Sequence, residues 1–145
     1  MRIFVFLIGF TSSLALGGMA MADGPRKEYF ITDLNMMITE DVKQEVSSRM
    51  ILDFQAALDR EFRRSVLPVF SGDRQALLNI TLTELAVDEG QADWAGARIV
   101  LKDAFSGRTI YEVRVDGTDA SNRGRADLYR VLAQQLAAAT RATMR

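Results

Sequence analysis

Among its 145 residues the chain has no cysteine and no histidine. Without thiols there is no disulfide, no thiolate nucleophile, no thiolate metal site and no cysteine to carry a lipid. Without imidazole, the usual general base near neutral pH and the commonest zinc ligand are missing as well. Net charge is scarce too. Eighteen Lys+Arg against 19 Asp+Glu leave a formal charge of −1, which gives no electrostatic ground for a nucleic-acid partner. Gly-x-Ser-x-Gly, Gly-x-Gly-x-x-Gly and P-loop patterns do not occur, and no Ser-x-x-Lys spacing joins a lysine to a serine. The familiar serine nucleophiles and phosphate cradles are therefore unsupported. What remains is a chain 48% hydrophobic, long enough for one domain with an ordinary packed core and needing neither metal nor staple.

The front of the chain reads as an address. Arg2 precedes the apolar run Ile3 to Phe10, and the stretch closes on Ala20-Met21-Ala22 before Asp23. That is the order of a secretory signal peptide, residues 1–22, cut between Ala22 and Asp23. The apolar run is shorter than the ~20 residues of a spanning helix, so no stable membrane anchor is expected after cleavage. Removing 22 of 145 residues leaves 123, with 17 Lys+Arg against 19 Asp+Glu and a formal charge of −2, because Arg2 is the one charged residue lost. With no cysteine at the cut there is no lipid attachment, and a soluble periplasmic product is expected, secretion being the alternative.

Residues 23–27 read as a flexible lead and 28–145 as one α+β domain. Glu28 to Met36 is aromatic and β-branched, hence a first strand. Thr39 is placed as the N-cap of a single long helix, with Glu40 and Asp41 in its first turn and Arg60, Arg63 and Arg64 crowding its end before Pro68. On a helical wheel Met50, Ile51, Phe54, Ala57, Leu58 and Phe62 share an apolar arc about 160° wide. Leu52 falls about 200° from Met50, among polar neighbours. From Leu78 to Thr83 apolar and polar residues alternate, and the phase then slips at Glu84, which points to a β-bulge. Ala97–Lys102 and Thr109–Asp116 continue the alternation, joined by Asp103-Ala104-Phe105-Ser106-Gly107-Arg108 with Gly107 suited to positive φ. One face of this meander collects Leu78, Ile80, Leu82, Ala97, Ile99, Leu101, Tyr111, Val113 and Val115; the other is polar and should meet water. A second amphipathic helix runs from about Ser121 to Thr143. The expected fold is an α+β two-layer sandwich in the order β-α-β-β-β-α, a mixed or antiparallel four-stranded sheet with both helices on one face.

No convergent chemistry stands out. Asp88, Glu89 and Asp93 lack the ligand spacing of a calcium loop and read as a solvated hairpin tip. Arg123-Gly124-Arg125 beside a helix start could meet an anion, but reads first as a solvated helix entry. No catalytic, cofactor or metal residues are assigned. The candidate contact residues are Trp94, the single tryptophan, which either joins the core or serves a partner; Phe70, with Val66, Leu67 and Val69 around Pro68; and the outlying Leu52. Met36 and Met37 join the Phe70 patch if the strand end and helix end meet.

The element order, with Val100-Leu101-Lys102-Asp103-Ala104-Phe105-Ser106-Gly107-Arg108-Thr109-Ile110, resembles the small YajG-type and related uncharacterised envelope lipoproteins of Gram-negative bacteria. In these a meander strand often ends in an aspartate and a Ser/Thr-Gly turn. The resemblance spans roughly Glu28 to Thr143, departs from the family in lacking a lipobox cysteine, and carries over no functional residue. It implies a mixed two-layer α+β fold and a role in envelope assembly or protein interaction. The expected function is a non-catalytic periplasmic accessory module with an envelope protein as partner and its oligomeric state left open. The alternatives are a carrier holding a small apolar ligand between helices and sheet, and, last, a carboxylate-only hydrolase.

Overall fold

In the computed structural model the described residues are 24–86, 93–119 and 125–145. The elements are α1 (Gly24–Glu28), β1 (Tyr29–Ile38), α2 (Glu40–Glu45), α3 (Ser48–Ser65), a 3-10 turn at Leu67–Val69, β2 (Arg74–Ala86), β3 (Asp93–Asp103), β4 (Thr109–Asp119) and α4 (Arg125–Thr143). The cleavage residues Ala20, Ala22 and Asp23, the hairpin tip at Asp88 and Glu89, and Arg123-Gly124 lie outside the described residues.

The four strands form one mixed sheet in the order β1-β2-β3-β4. β1 is parallel to β2, as the helical crossover between them requires, and the remaining pairs are antiparallel. The phase slip read from the sequence is a register shift in β2 between Leu82 and Glu84, so that Leu85 regains the buried face. Helices α3 and α4 cover that face, burying Ile51, Phe54, Leu58 and Phe62 from α3 and Leu128, Leu132 and Leu136 from α4 against Leu78, Ile80, Leu82, Ile99, Leu101 and Val115. The other face carries surface ion pairs, Arg98 with Glu112 at 3.4 Å and Arg114 with Glu84 at 2.9 Å. This is the expected two-layer α+β sandwich.

Two expectations need correction. The single long helix is two. Val46 is extended, and Ser47 starts a fresh helix by accepting a hydrogen bond from the Met50 N–H at 3.3 Å, whereas the Thr39 side chain makes no capping bond. A β-branched residue followed by two serines supplies both the interruption and the new cap. The flexible lead is a helical turn. In α1 the Arg26 carbonyl accepts from the Ser71 N–H at 2.8 Å, while the Arg26 guanidinium donates to the Arg141 carbonyl.

A polar clasp closes the end of the sheet where β1 and β2 begin. Asp103 Oδ1 accepts the backbone N–H groups of Phe105 and Ser106, both at 2.9 Å, and its Oδ2 accepts from Arg74 at 2.9 Å. Arg74 also bonds Glu28 at 2.8 Å and lies 4.9 Å over the Tyr29 ring. Gly107 closes the turn at φ 71°. The aspartate and Ser-Gly of this turn are thus one device, an Asx turn whose carboxylate also meets a cation from the next strand. The Ser106 N–H, more than any other neighbour, holds the Asp103 carboxyl below its ordinary value of 3.8, helped by the Phe105 N–H and opposed by partial removal from water. A depressed folded value means that this contribution to stability is complete above pH 3.8 and is lost as the pH falls below it. On acidification through that range the melting temperature of the native chain is therefore expected to fall more steeply than that of Asp103→Asn. Parallel slopes for the two would remove Asp103 from the account.

Candidate functional site

β1 is an edge strand, and among the described residues nothing pairs with its outer side. The Thr39 N–H donates to the Leu82 carbonyl of β2 at 3.1 Å. Because backbone groups alternate in direction along a strand, Asn35 and Met37 also face β2, and the N–H and C=O groups of Leu34, Met36 and Ile38 point to the free edge. From Asp33 to Ile38 the register with β2 is unbroken. The bulge between Ile31 and Asp33 interrupts only the first half of the strand, and Leu34 to Ile38 contains no charge and no proline. The usual devices that blunt an edge are missing from this half.

Beside this edge lies an open groove of about 560 Å³ between the end of β1 and the first turns of α3, lined chiefly by Met36, Met37, Ile38, Ile51, Leu52 and Gln55. It exists because the crossover helix runs back over the strand that precedes it, which sets the start of α3 above the end of β1. Met37 is 64% exposed and Leu52 63% exposed. Lys43 at the rim pairs with Glu40 at 3.0 Å. The groove continues past Leu34, Ala56 and Asp59. Its content is apolar side chains plus unpaired backbone groups, suited to receiving an extended strand and poorly suited to bond-making chemistry.

The three sequence candidates do not come together. Leu52 lines the groove. Phe70 is only 5% exposed and belongs to the core, correcting its reading as a surface contact: its N–H closes the 3-10 turn onto Leu67, which folds the ring inward with Val66. Pro68 forces that turn. Trp94 is half-buried in β3. Ala95 and Ala97 are core residues, so alternation puts Trp94 on the other sheet face, across from Leu52. Met36 lies at the groove beside the start of α3 and not at the Phe70 segment, whereas Met37, in register with Thr81 and Arg98, points to the open sheet face at the edge. The sequence signal for Met37 is its place as the second of two adjacent methionines, which must point away from the helix if the first points toward it.

The remaining chemistry is sparse. Glu84 and Asp116 flank Gly96 on the open sheet face, with Arg114 at 2.9 Å from the first and 3.8 Å from the second. The cation lies between the two carboxylates. Among the described residues no three carboxylates stand close enough to hold a metal ion. Between helices and sheet, Phe54 and Phe62 have no exposed surface, and Phe54 meets Tyr129 edge-to-face at 5.8 Å. Side chains fill the space around these rings, and an open cavity of about 470 Å³ lies beside them between α3 and Tyr129, lined also by the charged Arg49, Asp53 and Arg60.

Fold and surface together define a two-layer α+β module with one open apolar strand edge. No protein-family model and no curated protein matches the sequence. Solved structures do share the fold. The chain is similar to protein XCC0632 from Xanthomonas campestris, described as DUF330, at 11% identity and TM-score 0.55, over 85% of this chain and 87% of that one. It is similar to the hypothetical protein CT253 from Chlamydia trachomatis at 14% identity and TM-score 0.51, over 81% and 95%. A putative lipoprotein from Caulobacter crescentus aligns at 13% identity and TM-score 0.42, over 75% and 86%. For the first two, with TM-scores above 0.5, the likeness is one of fold alone. Among the described residues no helix is long and apolar enough to cross a membrane.

Proposed function

We propose that this chain is a non-catalytic accessory module of the Gram-negative envelope, exported to the periplasm, that works by association through the free edge of β1. The uncovered apolar groove beside that edge carries the reading, because exposed Met37 and Leu52 stand next to backbone groups with no partner strand among the described residues. The signal-like front and the resemblance to YajG-type modules read from the sequence support the location. The absence of histidine and cysteine from the sequence, and of any group of three metal-binding carboxylates among the described residues, supports a role without catalysis.

A photo-crosslinking residue placed at Met37 or Leu52 in intact cells tests this. Discrete, reproducible products are expected at both positions and none at Arg98, which is exposed on the open sheet face two strands inward from Met37. No product at either groove position, or equal labelling from Arg98, overturns it.

A further inference from the structure

The identity of the strand that fits this edge follows from its own sequence. Of the residues whose backbone groups face outward, Leu34, Met36 and Ile38, each could sit on a two-fold axis in an antiparallel pairing of two copies. Centring on Leu34 brings Met36 against the irregular Thr32 at the bulge. Centring on Ile38 drives Met36 against Glu40, where the chain has already turned into α2. Centring on Met36 uses only regular strand. It pairs Met36 with itself, Leu34 with Ile38 of the other copy in both directions, and Asn35 with Met37, with no charged residue opposed to another. The three outward residues then form the hydrogen-bonded pairs of an antiparallel ladder, and Leu34, Met36 and Ile38, which lie on the helix side of the sheet, become continuous with the same residues of the mate. The groove beside Leu52 is closed from both sides.

Resting on the docking role assigned above to this edge, we infer that a second copy of the chain is its occupant, the two four-stranded sheets joining through β1 into one eight-stranded sheet with its axis at Met36. The juxtaposition is specific because it requires uncharged residues on both sides of the axis, and this stretch of β1 supplies them.

The absence of cysteine makes the test direct, since Met36→Cys introduces the one thiol in the chain. In a hydrogen-bonded antiparallel pair the two Cα atoms lie about 5.5 Å apart, inside the range a disulfide spans. Under mild oxidation at low protein concentration Met36→Cys should become a covalent dimer far faster than Phe105→Cys, whose residue is 89% exposed at the opposite end of the sheet. Sedimentation equilibrium of the unsubstituted full chain should give twice the monomer mass. Met36→Pro removes an outward N–H from each copy while leaving the bonds to β2 in place, and should weaken the dimer roughly 30-fold through two lost hydrogen bonds. If circular dichroism shows that Met36→Pro does not fold, Met36→Cys decides alone. A monomer at all concentrations overturns the inference, as does a dimer whose Met36→Cys form crosslinks no faster than Phe105→Cys. A monomer that still gives groove-specific crosslinks to other proteins in cells overturns the self-pairing and leaves the docking role standing. Loss of those crosslinks as well removes both.

Discussion

Phe54→Ala is expected to lower the free energy of unfolding by about 3–5 kcal/mol, the larger of the two principal effects. Phe54 has no exposed surface and stands where three elements meet: its own helix α3, the sheet beneath, and α4 through the Tyr129 ring at 5.8 Å and 60°. Truncation leaves a cavity whose walls cannot close easily, because α3 and α4 each rest on the sheet through other buried side chains, Leu58 and Phe62 on one and Leu132 and Leu136 on the other. Such a loss is a large part of the 5–15 kcal/mol that holds a typical domain, and a fall in melting temperature of roughly 10–20 °C should accompany it. Leu52→Ala, one helical residue outside the core arc and 63% exposed, should change stability by less than about 0.5 kcal/mol. Urea unfolding of the two variants measures both. A Phe54→Ala loss no greater than that of Leu52→Ala would mean that the helices do not share the core described.

The contrast between these two residues marks how far periodicity could be read. The wheel separated Ile51, Phe54, Leu58 and Phe62 from Leu52, and the strand alternation separated the two sheet faces, because side-chain direction follows from local geometry at 3.6 or 2.0 residues per repeat. The slip at Glu84 was legible for the same reason. Helix continuity at Val46-Ser47 was misread: the apolar pattern spans the break, with Val46 still in phase with Met50, so capping chemistry at Ser47 had to outweigh periodicity there. Phe70 was misplaced because a 3-10 turn obeys neither period.

The functional surface was the least legible part. Leu52 was recognisable as an apolar residue on a polar helix face, but its significance depends on β1 being an edge, and pairing partners of a strand are set by contacts distant in sequence. Nothing in Tyr29 to Ile38 distinguishes an edge strand from one lying between two others. Its uncharged, proline-free second half would suit a central strand equally well, and that same composition leaves the edge available once the fold places it outside. The expectation of no catalytic groups rests on composition, which is local, and the surface proposed to associate emerges only from topology.

Gly72→Ala should be the second large effect, about 1–3 kcal/mol, and its cause is space. A Cβ on Gly72 would lie 2.0 Å from the Glu28 carbonyl carbon and 2.2 Å from the Tyr29 nitrogen. The obstruction is backbone, which no rotamer change can move aside. Gly72 donates its N–H to the Tyr29 carbonyl at 3.0 Å, and the neighbouring Ser71 N–H donates to Arg26 at 2.8 Å, so the segment before β2 lies directly on the junction of α1 and β1. Relief would require parting that contact just ahead of the first pair of the parallel ladder, Tyr29 with Arg74, and would strain the clasp from Arg74 to Asp103. Gly107→Ala is the complementary case, with nothing within 4 Å of the added carbon but a backbone φ of 71°, and it should cost about 1 kcal/mol. Denaturant unfolding should rank Gly72→Ala as the more damaging; the reverse order would mean that α1 does not dock on this segment. Because the same docking fixes where β1 begins, the Gly72 variant is also expected to loosen the strand whose far half forms the open edge, and hydrogen exchange at Asn35, Met37 and Thr39, whose N–H groups face β2, compared with the unsubstituted chain, would report that coupling.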